Sequence, residues 1–263
     1  MSRVALIALF GLSAGLVRST AWKPSFARKP PGHRTSAASH KLPEDVAGML
    51  ERLTQVGNAH GANWATMGGA FQVNQQILAL LQLGKSASKD DSVGTVCEVG
   101  FNAGHSAAAL LWQNNATLFE FDVQALPYSA ACLETVRERF PDRVRMYTGD
   151  SLVTLPKHLK KVEHAASSFF QRGTVKLCDR FFIDGAHNNP VVASDFTHAM
   201  KLTRAGGLVM ADDATSRFPD VPLEWKKLVA QGYIADSKCS VYDLPPPAGL
   251  KGFCIGRRTE KKM

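Results

Sequence analysis

Apolar residues recur along this chain in two rhythms. Val46, Met49, Leu50, Leu53 and Val56 fall three and four residues apart, which marks one face of a helix. Leu42-Pro43-Glu44-Asp45 starts that helix, with proline near the first turn and two carboxylates facing the helix dipole. A glycine-bearing loop over Asn58–Gly69 leads to a second expected helix, Phe71–Leu83, carrying Val73, Ile77, Leu78 and Leu81. The rhythm then changes. Val96-Cys97 with Val99 is a short apolar run of the kind that makes a strand buried on both faces. It turns on Gly100 and Gly104 and becomes the alanine- and leucine-rich helix former Ser106–Trp112.

The alternation continues to the end of the chain. Strands are expected at Thr117–Asp122, Arg143–Thr148, Lys176–Ile183 and Gly207–Ala211. Helices are expected at Tyr128–Arg139, after Asp150, at Pro190–Leu202 and at Val221–Gln231. Two last strands, Tyr233–Tyr242 and Gly252–Arg257, are joined by Pro245-Pro246-Pro247-Ala248-Gly249, and so short a link predicts antiparallel pairing. The expected fold is α/β, a doubly wound, seven-stranded, mostly parallel sheet with a C-terminal antiparallel hairpin.

Function in such sheets collects where parallel strands end. Here the ends read Glu98, Asp122, Asp150, Asp184 and Asp212-Asp213, acids for which a purely structural sheet has no need. The first turn sharpens the picture by its spacing. A dinucleotide fingerprint wants G-x-G-x-x-G, and a phosphate-binding P-loop wants Gly-Lys-Ser/Thr at the helix start. The chain has neither; it has Glu98 followed by Gly100-x-x-x-Gly104, with Asn102 between.

This E-x-G-x-x-x-G pattern resembles motif I of the class I S-adenosylmethionine (SAM) dependent methyltransferases. Phe181-Phe-Ile-Asp-Gly-Ala-His187 and Gly206-Gly-Leu-Val-Met-Ala-Asp-Asp213 extend the likeness to the subfamily related to catechol and sugar O-methyltransferases. The resemblance covers roughly Ala65–Asp213. It implies a SAM-dependent enzyme that methylates a hydroxyl oxygen of a small molecule. Glu98, Gly100, Asn102 and Gly104 would cradle the amino-acid half of SAM, with Glu98 near the ammonium or holding the loop. Asp122 would take the ribose hydroxyls, and Asp150 or Ser151 the adenine amine. Met67, in Thr66-Met-Gly-Gly-Ala-Phe71, matches a segment that touches SAM. Asp184, Asp212 and Asp213 match the metal positions, with Mg²⁺ the expected ion and Mn²⁺ or Ca²⁺ alternatives. Three such acids would repel one another without a cation. The catechol-type pattern has an amide at Asp213 and a lysine where this chain has Gly185-Ala186-His187, so His187 is an alternative general base alongside Asp184 as catalytic residue.

Simpler roles stay open for single residues: helix caps for Asp122 and Asp150, and a hydrogen-bonded structural role for His187. At the level of the chain, the alternatives are an NAD(P)-dependent oxidoreductase on a related sheet and a non-catalytic SAM-binding protein. The loops that would shape an acceptor pocket carry no motif, and nothing fixes an oligomeric state.

Charge changes the picture only at the amino terminus. Residues 1–43 hold seven Lys or Arg and no acid, out of 31 basic and 23 acidic residues in the chain, which leaves 24 against 23 beyond them. The formal charge of +8 therefore belongs almost wholly to the leader, which carries +7, and gives no sign of nucleic-acid binding. Within it, residues 1–21 read as a signal peptide: Arg3, an apolar Val4–Val17, and the small-x-small Ser19-Thr20-Ala21. That run is too short for a permanent anchor. Residues 22–43, acid-free and rich in serine and proline, read as a transit-like presequence or linker. Signal plus transit segment resembles the bipartite presequence of secondary plastids, with plain secretion as the alternative. Residues 44–263 remain for the methyltransferase domain. Five scattered cysteines, Cys97, Cys132, Cys178, Cys239 and Cys254, lack C-x-x-C spacing and are expected to be buried free thiols.

Overall fold

The computed structural model describes residues 41–64, 74–85, 94–112, 114–167, 178–243 and 249–263. Seven strands are β1 (Thr95–Val99), β2 (Thr117–Asp122), β3 (Val144–Thr148), β4 (Cys178–Ile183), β5 (Thr203–Ala211), β6 (Ile234–Asp243) and β7 (Leu250–Arg258). They form one sheet in the order β3-β2-β1-β4-β5-β7-β6. The first five are parallel, and β7 runs antiparallel to both β5 and β6. The chain lays β1, β2 and β3 outward on one side and returns to place β4 on the other. The strand order reverses between β1 and β4, and a ligand crevice opens at such a point.

Period-two alternation along the strands builds two cores. Val96, Leu118, Phe182 and Met210 face α1 (Glu44–Ala59), α2 (Asn74–Lys85), α3 (His105–Leu111) and α4 (Ser129–Arg139). Cys97, Val99, Phe121, Phe181, Ile183 and Val209 face α5 (Ser151–Ser167), α6 (Val191–Leu202) and α7 (Asp220–Ala230). All five residues of β1 are buried, as its apolar run requires. The expected fold is the one found.

Several details differ from expectation. Strand β5 begins at Thr203, four residues before the Gly207 start read from apolar content, and the helix expected after Asp150 runs to Ser167 with Pro156 inside it. Four of the five cysteines are not free thiols. Cys97 and Cys178 join the adjacent strands β1 and β4, with Cα atoms 5.8 Å apart, and Cys239 and Cys254 are register partners joined across β6 and β7. Only Cys132 is free, and it is buried. Separations of 81 and 15 residues carry no local signal; the sheet topology makes these pairs neighbours. Among the described residues no helix is long and apolar enough to cross a membrane.

Candidate active site

A cavity of about 500 Å³ opens at the carboxyl ends of β1 to β5, within the range of ligand pockets. Its geometry begins at Gly100, where φ is +99° and a Cβ would lie 2.0 Å from the Asp184 carbonyl oxygen. Only glycine lets the turn after β1 cross the end of β4 so closely. Gly104, at φ +76°, begins α3, and a Cβ there would strike the Phe101 ring at 2.5 Å.

The loop between these glycines is tied down by groups that also line the cavity. Asp122 accepts the Phe101 N–H on Oδ2 at 2.8 Å and the Gln124 N–H on Oδ1 at 2.5 Å. It caps no helix, since α4 starts only at Ser129. Asn102, in left-handed backbone at φ +51°, accepts the Tyr128 hydroxyl at 2.7 Å, and its carbonyl accepts the Ser129 hydroxyl at 2.8 Å. Asp150 Oδ1 accepts the Leu152 N–H at 2.9 Å at the start of α5, the capping role, and with Ser151 the residue lines the cavity. Met67 lies outside the described residues.

Glu98 does not line the cavity. It is fully buried, accepts the Ser106 hydroxyl of α3, and lies opposite Glu120 in the β1–β2 register. Its bond to Ser106 ties β1 to the first turn of α3. Burial pushes the Glu98 carboxyl up to about 7, although Glu120 and Ser106 pull it down as hydrogen-bond partners. Burial and the charge of Glu98 push Glu120 well above the carboxylate range. Two carboxyls this close and this dry cannot both ionise, so they share protons.

At the other end of the cavity, Asp184, His187 and Asp213 present ligand atoms all within 4.8 Å of one another. His187 Nε2 stands 2.8 Å from Asp213 Oδ2, but off the line that a ring N–H donor needs. Phe218 stacks on the imidazole, with centroids 4.1 Å apart, and fixes its plane. Asp212 is not one of the converging trio: Gln76 donates to its Oδ2 at 2.6 Å, while its buried Oδ1 has no hydrogen-bond partner. Desolvation, then Asp212 and Asp213, drive Asp184 well above its ordinary range. Desolvation, then Asp213, push Asp212 to about 6. Asp213 goes the other way: burial would raise it, but the His187 contact, Lys251 and Arg217 together hold it below the usual value.

Three site residues were not legible as such. Lys251, at the start of β7, lines the cavity with its Nζ 3.8 Å from Asp213 Oδ1. Gln76 reaches Asp212 from α2 across 136 positions of sequence. His105 directly follows the second glycine of the motif and lines the cavity, 3.0 Å from the Thr54 hydroxyl, and burial holds it at about 4 and so neutral. Its place beside the motif was the only signal available for any of the three.

Five parallel strands, a reversed hairpin at one edge and an acid-lined crevice at the switch point define the class I methyltransferase fold. Residues 97–214 match the family model described as a methyltransferase domain. The O-methyltransferase of Bacillus cereus, solved with S-adenosylhomocysteine (SAH), shares this fold at TM-score 0.56 and 19% identity, over 83% of this chain and 93% of that one. The O-methyltransferase TomG of Streptomyces achromogenes, involved in tomaymycin synthesis and solved with SAM, does so at TM-score 0.55 and 18% identity, over 85% and 93%. The N-methyltransferase NodS of Bradyrhizobium japonicum, also with SAH, follows at 0.52 and 14%, over 81% and 99%. No curated protein matches the sequence significantly.

Proposed function

We propose that the protein transfers the methyl group of SAM to a hydroxyl oxygen of a small molecule. The observation that carries this is the division of one cavity into two chemically distinct ends. Glycine loop, Asp122, Asp150 and Ser151 offer hydrogen-bonding partners for a nucleoside and amino-acid cofactor; Asp184, His187 and Asp213 form a polar cluster beyond it. The SAM and SAH bound in the similar folds support this assignment of ends. In the reaction an acceptor oxygen forms a bond to the methyl carbon as the sulfur–methyl bond breaks in line. The chain contributes mainly alignment. The acceptor's proton passes to a base of the cluster, with His187 Nε2 and the Asp184 carboxylate the groups at hand.

Asp184, His187 and Asp213 fit a divalent ion, because His187 Nε2 and Asp213 Oδ2 converge without hydrogen-bonding. Such an ion would orient the acceptor hydroxyl and lower its pKa. An imidazole in the donor set moves the preference from Mg²⁺ toward Mn²⁺. For location, the two disulfides favour an oxidising compartment, so secretion gains over the plastid route as the reading of residues 1–43.

The test is to incubate the purified protein with methyl-deuterated SAM, Mn²⁺ and a mixed small-molecule extract rich in phenols and sugars. Labelled product with deuteromethyl on oxygen is expected. Label on nitrogen alone would overturn the hydroxyl assignment.

A further inference from the structure

Lys251 enters the acid cluster from β7, the strand farthest in sequence from the glycine motif. Its side chain is only 14% exposed, yet Nζ makes no hydrogen bond among the described residues; its nearest anion, Asp213 Oδ1, lies 3.8 Å away. A nearly buried ammonium without an acceptor is costly unless charge repays it. The charge is present, since Lys251 acts electrostatically on Asp184, Asp212 and Asp213 together. Asp213 is straddled: Oδ2 faces His187 and Oδ1 faces Lys251, and Oδ1 itself accepts no hydrogen bond. The mutual repulsion of the three acids, which by itself calls for a cation, already meets one built into the chain.

We propose that Lys251 is a tethered counter-cation of the Asp184–His187–Asp213 cluster, and that a divalent ion binds these residues only as the Lys251 ammonium withdraws from Asp213. Lysine and ion compete for the same carboxylate, because two cations within a few ångströms of each other in a partly buried site repel with little screening. The resting site is therefore partly compensated without metal, and Lys251 sets how weakly an ion binds. Lys251 acts here as a positioning residue for the ion and for Asp213. The inference rests on the proposed ion site but not on which substrate is methylated.

Manganese alone is the probe. Free Mn²⁺, counted by its paramagnetic resonance signal, gives the dissociation constant for the purified protein, for Lys251→Met and for Lys251→Arg. Lys251→Met is expected to bind Mn²⁺ tenfold tighter or more, on the order expected when a neighbouring charge is removed, and Lys251→Arg to bind as weakly as the wild type. A Lys251→Met variant that binds no tighter, or no binding in any of the three, overturns the proposal. A second readout uses the wild type and needs no variant to fold. Reductive methylation of Lys251, followed by peptide mass spectrometry, is expected to quicken when Mn²⁺ is added, and an unchanged rate counts against displacement. SAH calorimetry on the same samples separates the two ideas: lost SAH binding with the Mn²⁺ pattern intact sinks the methyltransferase reading and leaves this one standing.

Discussion

Glu98 and Glu120 show how much one position can hide. Alternation along β1 puts Glu98 on the face of Val96, inside the core, and its partner in β2 is another fully buried glutamate, neither of whose carboxyl oxygens has a hydrogen-bond partner of good geometry. Because the folded state raises these carboxyls, it holds protons that the unfolded chain releases. Their contribution to stability is full below the ordinary glutamate value and is lost as pH rises through about 7, the Glu98 value. Glu120→Gln keeps the shape and removes the second charge. It is expected to melt higher than wild type at about pH 8, by roughly 2–4 °C per kcal/mol recovered, with little difference near about pH 5. Melting curves at the two pH values decide it, and an equal offset at both would show that the pair does not titrate as described. The motif acid was legible as important; its partner was not, because a glutamate in an apolar run looks like an edge residue until the register is known.

Among the elements, β1 and the turn after it fix the site, and the reason is steric. Gly100 lets that turn pass over the backbone of Asp184, so the cofactor loop and the acid cluster are set against each other by one residue. Gly100→Ala places a Cβ 2.0 Å from that carbonyl at a φ that L residues rarely adopt. A loss of about 2–4 kcal/mol is expected, measured as a fall in the urea midpoint. A variant within about 0.5 kcal/mol of wild type would mean the close approach is not real. The parallel strands were legible because burial on both faces leaves nearly unbroken apolar runs, as in Val96–Val99 and Phe181–Ile183. The acids at their ends were legible because they break those runs. Lys251 was not, since it stands in a hairpin strand whose pattern says nothing about which strand end it meets.

For the molecule as a whole, the cysteines are where the sequence misleads most. Nothing in their spacing reveals that β1 lies beside β4 or that Cys239 faces Cys254; only the strand order does. Alkylation under denaturing conditions is expected to modify one cysteine without reduction and all five after it. Five modified before reduction would show thiols throughout and remove the support for an oxidising compartment. The two bridges are separate: one ties β1 to β4, the strands that lead to Gly100 and Asp184, and the other ties β6 to β7, the strand that carries Lys251.

The proposed methyl transfer depends on a nucleoside-type cofactor lying across the switch point with its ribose on Asp122. Titration calorimetry with SAH, on the purified protein and on Asp122→Ala, measures that directly. Wild type is expected to bind in the micromolar range, about −8 kcal/mol, and the folded variant to lose roughly 1.5–3 kcal/mol, as for a charged hydrogen-bonding group removed from a ligand. Heat on titration with NAD(P) and none with SAH, or an Asp122→Ala variant that binds SAH as well as wild type, would contradict it.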